Sequence, residues 1–172
     1  MRHVTPILMA LALVAAACGG GAPASPTPAT SVVFTADLKT SNEVPPITNA
    51  DSTGSGKATV TFDLTRDSAG KITAATAKFE IVLQGFPATT SIILSHIHQA
   101  PAGQNGGVKV DTGLKADQPI DLTTGGTTIN KSGINVDPAL AEQILNDPAG
   151  FYQNVHSKLN PGGVVRGQLV KK

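Results

Sequence analysis

The sequence is short of cysteine, of aromatic residues and of charge, and the first and last of these shortages limit what the protein can be. Only one of the 172 residues is cysteine, so no disulfide can form within the chain. Tryptophan is absent, and aromatic residues make up 3% of the chain and charged residues 15%. The 13 basic and 12 acidic residues form no basic cluster, so the electrostatic footprint of a nucleic-acid-binding protein is missing. Nucleic acid is therefore excluded as an expected partner.

The sequence motifs of common catalytic sites are missing as well. The chain contains no Gly-x-Ser-x-Gly nucleophile elbow and no second cysteine for redox chemistry. The glycine-rich segment 103–107 lacks the lysine and the serine or threonine of a phosphate-binding loop, and it is typical of a hairpin turn. We therefore expect a protein that is not an enzyme.

The first 17 residues have the layout of a secretory signal peptide. Arg2 precedes an apolar run that extends from Val4 to Ala17 and ends in three alanines. This run is too short to span a bilayer, which takes about 20 apolar residues. The only cysteine, Cys18, follows directly, and the sequence Ala-Ala-Ala-Cys-Gly resembles the lipobox of bacterial lipoproteins. We expect residues 1–17 to be a cleaved signal peptide and Cys18 to be lipidated; the alternative is an unmodified small apolar side chain.

A lipidated Cys18 would place the protein outside the cytoplasm, attached to the bacterial cell membrane. Two or more acyl chains hold a protein stably at a membrane, so no transmembrane helix is needed. The segment 18–31 that follows is rich in Gly, Ala, Pro, Ser and Thr and shows no apolar periodicity, which is typical of a flexible, disordered linker. The predicted partners are the membrane, through this lipid, and an unidentified extracytoplasmic ligand or protein.

Residues 32–172 are predicted to form an all-β domain, because apolar and polar residues alternate with the period of two that half-buried strands require. Further strands are predicted over 92–98, 108–112, 151–157 and 164–170. Seven or eight short antiparallel strands favour a two-sheet sandwich or a flattened barrel. The alternating positions are Val32, Phe34, Ala36 and Leu38, then Ala58, Val60, Phe62 and Leu64, then Ala77, Phe79, Ile81 and Leu83.

One segment breaks the pattern of alternation and predicts a single short helix. Asp137 has the position of an N-cap and Pro138 that of the first helical residue. Leu140, Ile144 and Leu145 then share one helical face, and a second Asp-Pro pair ends the run.

Three histidines are the candidate metal ligands of the domain. Side chains two residues apart in a strand point to the same side, with Cα atoms about 6.5 Å apart, so His96 and His98 present two imidazoles on one face. His156 lies in another predicted strand, on the same face as Tyr152 and Asn154. If the two strands are neighbours, three imidazoles converge in a pattern that suits zinc or copper.

A structural role for these histidines is the alternative. They precede the glycine-rich loop 100–107, and imidazoles can hydrogen-bond the backbone of such a loop and hold it in place. No carboxylate at a short, fixed spacing offers a fourth ligand, and Asp111 is the nearest candidate. Cupins also carry His-x-His on a strand but need a glutamate that residues 99–103 lack, and the copper–zinc superoxide dismutase site needs more than three histidines. The sequence leaves open both the metal-binding role and the structural role of the three histidines.

Several short motifs, in order along the chain, resemble the CHRD domain found in chordin and in many microbial secreted proteins. The resemblance covers roughly residues 33–169 and implies an all-β domain, without implying an activity. Binding of bone morphogenetic protein is not implied, because the chain has none of the cysteine-rich modules of chordin. The matching segments are Phe34–Leu38, Asn42–Pro46, His96–His98 with the loop after it, Val108–Val110, Tyr152–His156, Asn160–Gly163 and Arg166–Leu169.

The resemblance also indicates a set of structural or binding residues at the C-terminal motif. Family members often carry an acidic residue two positions before the arginine, where this chain has Val164, so Glu43 is left as the possible partner of Arg166. The leading interpretation is therefore a membrane-tethered, non-enzymatic binding domain of the cell envelope, and the alternative is a copper- or zinc-binding protein. The candidate structural or binding residues are Glu43, Tyr152, Asn154, Asn160 and Arg166.

Overall fold

A computed structural model of the protein describes residues 30–172. The predicted signal peptide, Cys18 and residues 18–29 of the predicted linker lie outside the described residues. Within residues 30–172, no helix is long and apolar enough to cross a membrane.

The described residues form ten strands, one α-helix and three short 3-10 helices. The 3-10 helices cover Thr40–Asn42, Ala50–Thr53 and Pro148–Gly150. The longer elements are β1 (Thr30–Lys39), β2 (Ser55–Arg66), β3 (Ile72–Gln84), β4 (Ser91–Gln99), β5 (Gly107–Asp111), β6 (Ile120–Asp121), β7 (Thr127–Val136), α1 (Pro138–Asn146), β8 (Phe151–Ser157), β9 (Val165–Gln168) and β10 (Val170–Lys171).

All ten strands belong to one antiparallel sheet in the order β5-β4-β8-β9-β1-β2-β3-β7. The short strand β10 pairs with β1, and β6 pairs with β4. The sheet curls into a nearly closed barrel, which confirms the all-β prediction in its barrel form. Because β8 and β9 come late in the chain but lie between β4 and β1, the C-terminal motif occupies the centre of the sheet.

The apolar core lies inside the barrel and follows the predicted alternation. Phe34, Phe62 and Phe79 are at most 2% exposed, as are almost all the alternating positions of β1, β2 and β3; Val32 is half-buried. Phe34 and Phe62 meet edge to face with ring centroids 5.4 Å apart. Period-two alternation therefore predicted the interior face of these strands correctly.

The predicted helix and its cap are confirmed. Asp137 accepts hydrogen bonds from the backbone N–H groups of Ala139 and Leu140 at 2.9 and 3.0 Å, which satisfies two of the donors left over at a helix start. Ile144 is fully buried, and Leu140 and Leu145 pack against the core from partly buried positions.

Three details of the strand pattern differ from the sequence expectation. β7 and β6 were not predicted; β7 is mostly exposed, with only Ile129 and Val136 buried, so its alternation is weak. The expected strand 164–170 is divided into β9 and β10 at Leu169, which is buried and whose N–H donates to the carbonyl of Phe151. β1 begins at Thr30, two residues before the predicted domain start, because the long strand β2 still offers partners there.

We expect Gly167→Ala to destabilise the barrel where β9 meets β1. A Cβ atom at Gly167 would overlap the backbone carbonyl of Asp37 in β1, and overpacking of this kind typically costs about 1–3 kcal/mol. The matched control is Gly162→Ala, whose Cβ would meet no atom within 4 Å. Urea denaturation of both variants tests this, and equal unfolding free energies would contradict it.

Candidate metal centre

The register between β4 and β8 brings the three histidines together. His96 lies opposite Asn154 and His98 opposite Tyr152, while His156 lies opposite Leu94. His156 is therefore the diagonal neighbour of His96 on the same face, a separation that imidazole rings span easily.

The three imidazoles form a compact, buried cluster. Their ring centroids are 5.0 Å apart for His96 and His156, 5.6 Å for His96 and His98, and 5.7 Å for His98 and His156. One ring nitrogen from each residue lies within 4.8 Å of the other two, and the residues are only 5–8% exposed. The structure thus places the three predicted ligands around one point.

Backbone carbonyls fix the orientation of two of these rings. His98 Nδ1 lies 2.9 Å from the carbonyl oxygen of Gly106, and His156 Nδ1 lies 2.9 Å from that of Pro161. A carbonyl oxygen only accepts, so both Nδ1 atoms carry the proton and both Nε2 atoms keep a lone pair in the neutral ring. His98 Nε2 is buried and has no hydrogen-bond partner among the described residues.

The cluster is neutral at pH 7. Burial lowers the pKa of His96, His98 and His156, and takes that of His156 to about 4. The carboxylate of Asp111 opposes this effect on the pKa of His96, and the bonds to Gly106 and Pro161 oppose it for the other two. Neutral imidazole is the form that ligates metal ions.

Tyr152 and Arg166 lie beside the cluster. The Tyr152 ring stacks on His98 with centroids 5.0 Å apart and an interplanar angle of 9°, and its hydroxyl accepts a hydrogen bond from Gly106 N–H at 3.2 Å. The Arg166 guanidinium lies 4.8 Å from the centre of the Tyr152 ring. These contacts connect one candidate ligand to the centre of β9.

Arg166 holds two loops against this face of the sheet. Its Nε donates to the carbonyl of Asn42 at 2.6 Å, and its Nη1 donates to the carbonyl of Gln104 at 3.1 Å and to Asn105 Oδ1 at 2.8 Å. Glu43 Oε2 lies 3.7 Å from Nε, and both side chains of this pair are at most 5% exposed. The structure thus brings Glu43 and Arg166 together, in a position that ties the loop 100–107 to the segment before β2.

Asn154 and Asn160 have different surroundings. Asn154 is buried between His96 and Arg166 in the strand register, next to Gly163. Asn160 belongs instead to a polar network centred on Asp51, to which its Nδ2 donates at 2.8 Å.

The sequence did not identify Asp51, which is 2% exposed. Its carboxylate also accepts from Thr90 and Ser157, each at 2.7 Å. These partners lie 39 and 106 residues away in the chain, so no local motif could have revealed the network. It anchors the 3-10 helix Ala50–Thr53 to the residue that precedes β4 and to the end of β8.

The fold and the site define a β-barrel domain with three imidazoles gathered on a buried polar face. A family model described as the CHRD domain matches residues 34–169, and the chain therefore belongs to the CHRD domain family. This membership indicates an extracellular domain of the binding type, and CHRD domains are not generally known as enzymes. Comparisons with curated proteins and with solved structures give no match.

Titration of Glu43 gives a pH test of this buried face. Burial raises the pKa of Glu43 to about 7, with the charge of Arg166 offsetting only part of the effect. The pKa of Glu43 in the folded protein exceeds the unfolded value of about 4.5, so the folded protein binds this proton more tightly than the unfolded chain. The contribution of Glu43 to the free energy of unfolding is therefore greatest below pH 4.5 and is lost as the pH rises through 7. A shift of this size is worth roughly 3 kcal/mol at most.

We therefore expect wild type to lose roughly 2–3 kcal/mol relative to Glu43→Gln between pH 5 and pH 8. Histidine titration occurs in both proteins and cancels in this difference. Denaturant unfolding across the range measures it, with Glu80→Gln on the exposed face of β3 as the control. A difference that is constant, or that grows in favour of wild type with rising pH, would refute the expectation.

Proposed function

We propose that this domain binds one transition-metal ion, zinc or copper, through His96, His98 and His156, as an extracytoplasmic binding protein rather than an enzyme. The observation that carries the proposal is the convergence of three neutral, buried imidazoles on one point. Imidazole nitrogen suits both metals, and three histidines with an open fourth position form a known zinc arrangement.

The distances support a tetrahedral site. Two nitrogens bound to one ion at about 2.0–2.1 Å with tetrahedral angles lie roughly 3.3 Å apart. His96 Nδ1 and His156 Nε2 are 3.2 Å apart, so this pair already has the required spacing. One ring nitrogen of His98 lies within 4.8 Å of the ligand atoms of the other two, and the buried Nε2 of His98, which has no partner among the described residues, is available to complete the set.

The hydrogen bonds around the ligands support the same proposal. Metal-bound histidines almost always donate their other ring N–H to a carbonyl or carboxylate, which fixes the ring and the tautomer. His98 and His156 have such bonds to Gly106 and Pro161. The hydrogen bond that holds the loop 100–107 uses Nδ1 of His98 and leaves Nε2 for the ion. The structural role and the metal-binding role of this histidine are therefore compatible.

We expect zinc or copper to stabilise the purified protein and a chelator to reverse the effect. An ion at 100 times its dissociation constant adds about 2.7 kcal/mol, which raises the melting temperature of a domain of this size by roughly 8 °C. Differential scanning calorimetry, with bound metal counted by elemental analysis, gives both the shift and a stoichiometry of one.

The informative variant is His98→Asn, because the asparagine amide occupies the position of Nδ1 and can still donate to Gly106 while Nε2 is removed. This variant should fold and lose the metal-dependent shift. Tyr152→Phe, which keeps all three imidazoles, should retain it. A wild-type protein that gains no stability from either metal, or a His98→Asn protein that gains as much as wild type, would overturn the proposal.

We also propose that the domain is held outside the cytoplasm by a lipid on Cys18. The supports are the signal-like residues 1–17, the cysteine directly after them and the linker composition of residues 18–31. Such a tether would confine the metal-binding domain to the cell envelope.

We expect the protein produced in a bacterial host to incorporate alkyne-labelled palmitate and to fractionate with membranes. Cys18→Ser should abolish the label and release the protein, because the chain has no other cysteine. A label that persists in Cys18→Ser, or an unlabelled wild type, would contradict the lipid anchor.

A further inference from the structure

The carboxylate of Asp111 lies beside the candidate site, on the side away from His156. Asp111 is the register partner of His96 on β5, and its Oδ1 is 3.8 Å from His96 Nε2. The side chain is 61% exposed, and the same oxygen accepts a hydrogen bond from Gly113 N–H at 2.7 Å. Asp111 is therefore held in place, yet it lies beyond the 2.7–3.2 Å range of an N–H···O bond to His96.

The hydrogen bonds of the cluster explain this gap. His156 Nε2 has a lone pair, because its Nδ1 donates to Pro161. The 3.2 Å contact from His96 Nδ1 to His156 Nε2 therefore requires a proton on His96 Nδ1. His96 Nε2 then carries a lone pair too, 3.8 Å from the Asp111 carboxylate, and two acceptors do not approach each other.

A bound ion changes this arrangement. An ion that takes the lone pairs of His96 Nδ1 and His156 Nε2 occupies the place of the proton between them. The His96 ring remains a neutral ligand when that proton moves to Nε2, with one metal–nitrogen bond formed and no proton lost from the ring. Nε2–H then faces an oriented carboxylate that can accept it.

We propose that Asp111 is a positioning residue that stabilises the metal-loaded state by accepting the Nε2–H bond of His96, a bond that the metal-free tautomer cannot make. This inference rests on the proposed metal site. Because the interaction exists in one state only, its full strength appears as metal affinity. Asp111 does not contact the ion and affects it only through its hydrogen bond to His96.

The test is zinc affinity, measured by competition with a chromophoric chelator, on the full-length protein and three variants. Asp111→Ala removes the acceptor and should weaken zinc binding 10–100-fold, as loss of such a partner typically does. Asp111→Asn keeps an acceptor oxygen without its charge and should lose less. The control is Asp121→Asn, an exposed aspartate on β6, which also pairs with β4, and it should stay within about threefold of wild type.

Imidazole nitrogen NMR supplies a readout that a purely structural role would not move. In the zinc-loaded protein we expect His96 to be bound through Nδ1 and protonated at Nε2, with His98 and His156 bound through Nε2. Zinc on His96 Nε2, or an Asp111→Ala affinity equal to that of Asp121→Asn, would overturn the role of Asp111 and leave the metal site intact. If the wild-type protein binds neither zinc nor copper, the proposed metal site itself is wrong.

Discussion

The pairing of β4 with β8 is the contact on which the candidate site depends. It aligns His96 with Asn154 and His98 with Tyr152, and so places His156 one diagonal step away. Because side chains alternate across a strand, a slip of one residue would turn the β8 side chains to the opposite face and separate His156 from the other two. The barrel fixes this register from both sides, since β8 also pairs with β9 and the inward residues Ile97 and Val155 are fully buried.

Two polar centres hold the covering loops over this face. Arg166 fastens the loop after β4 and the turn after β1 through backbone carbonyls, and Asp51 fastens the next 3-10 helix to β8 through Ser157. The outward residues of β8, Tyr152, Asn154 and His156, are consequently buried like its inward ones, although the strand is rich in polar side chains. This cover explains why the imidazoles are neutral: burial disfavours the charged ring, and the carboxylate of Asp111, which favours the charged form of His96, is largely exposed to solvent that screens its charge.

Periodicity in the sequence was enough to predict the core and part of the site. The alternation in β1, β2 and β3 identified the inward face, and the spacing of His96 and His98 placed two rings on one side of a strand. His156 is 60 residues from His96 in the chain. Its position beside His96 depends on the strand order of the sheet, which no local sequence pattern indicates. β7 escaped prediction because an edge strand with few buried residues has no strong period. The tautomers also required the structure, because they depend on carbonyls contributed by two separate loops.

Stability alone does not account for this face of the sheet. Five buried side-chain atoms have no hydrogen-bond partner in the part of the chain that the structure describes, and those of Glu43, His98, Asn154 and Arg166 belong to residues on or beside the histidine face. Each such atom costs about 1–3 kcal/mol, and replacing a buried ion pair such as Arg166–Glu43 by apolar residues of similar volume is often neutral or stabilising. The unpartnered atoms of His98, Glu43 and Arg166 add that cost in the free state. An ion bound to the lone pairs would recover part of it, since the buried nitrogen of His98 then gains the partner that the protein does not supply.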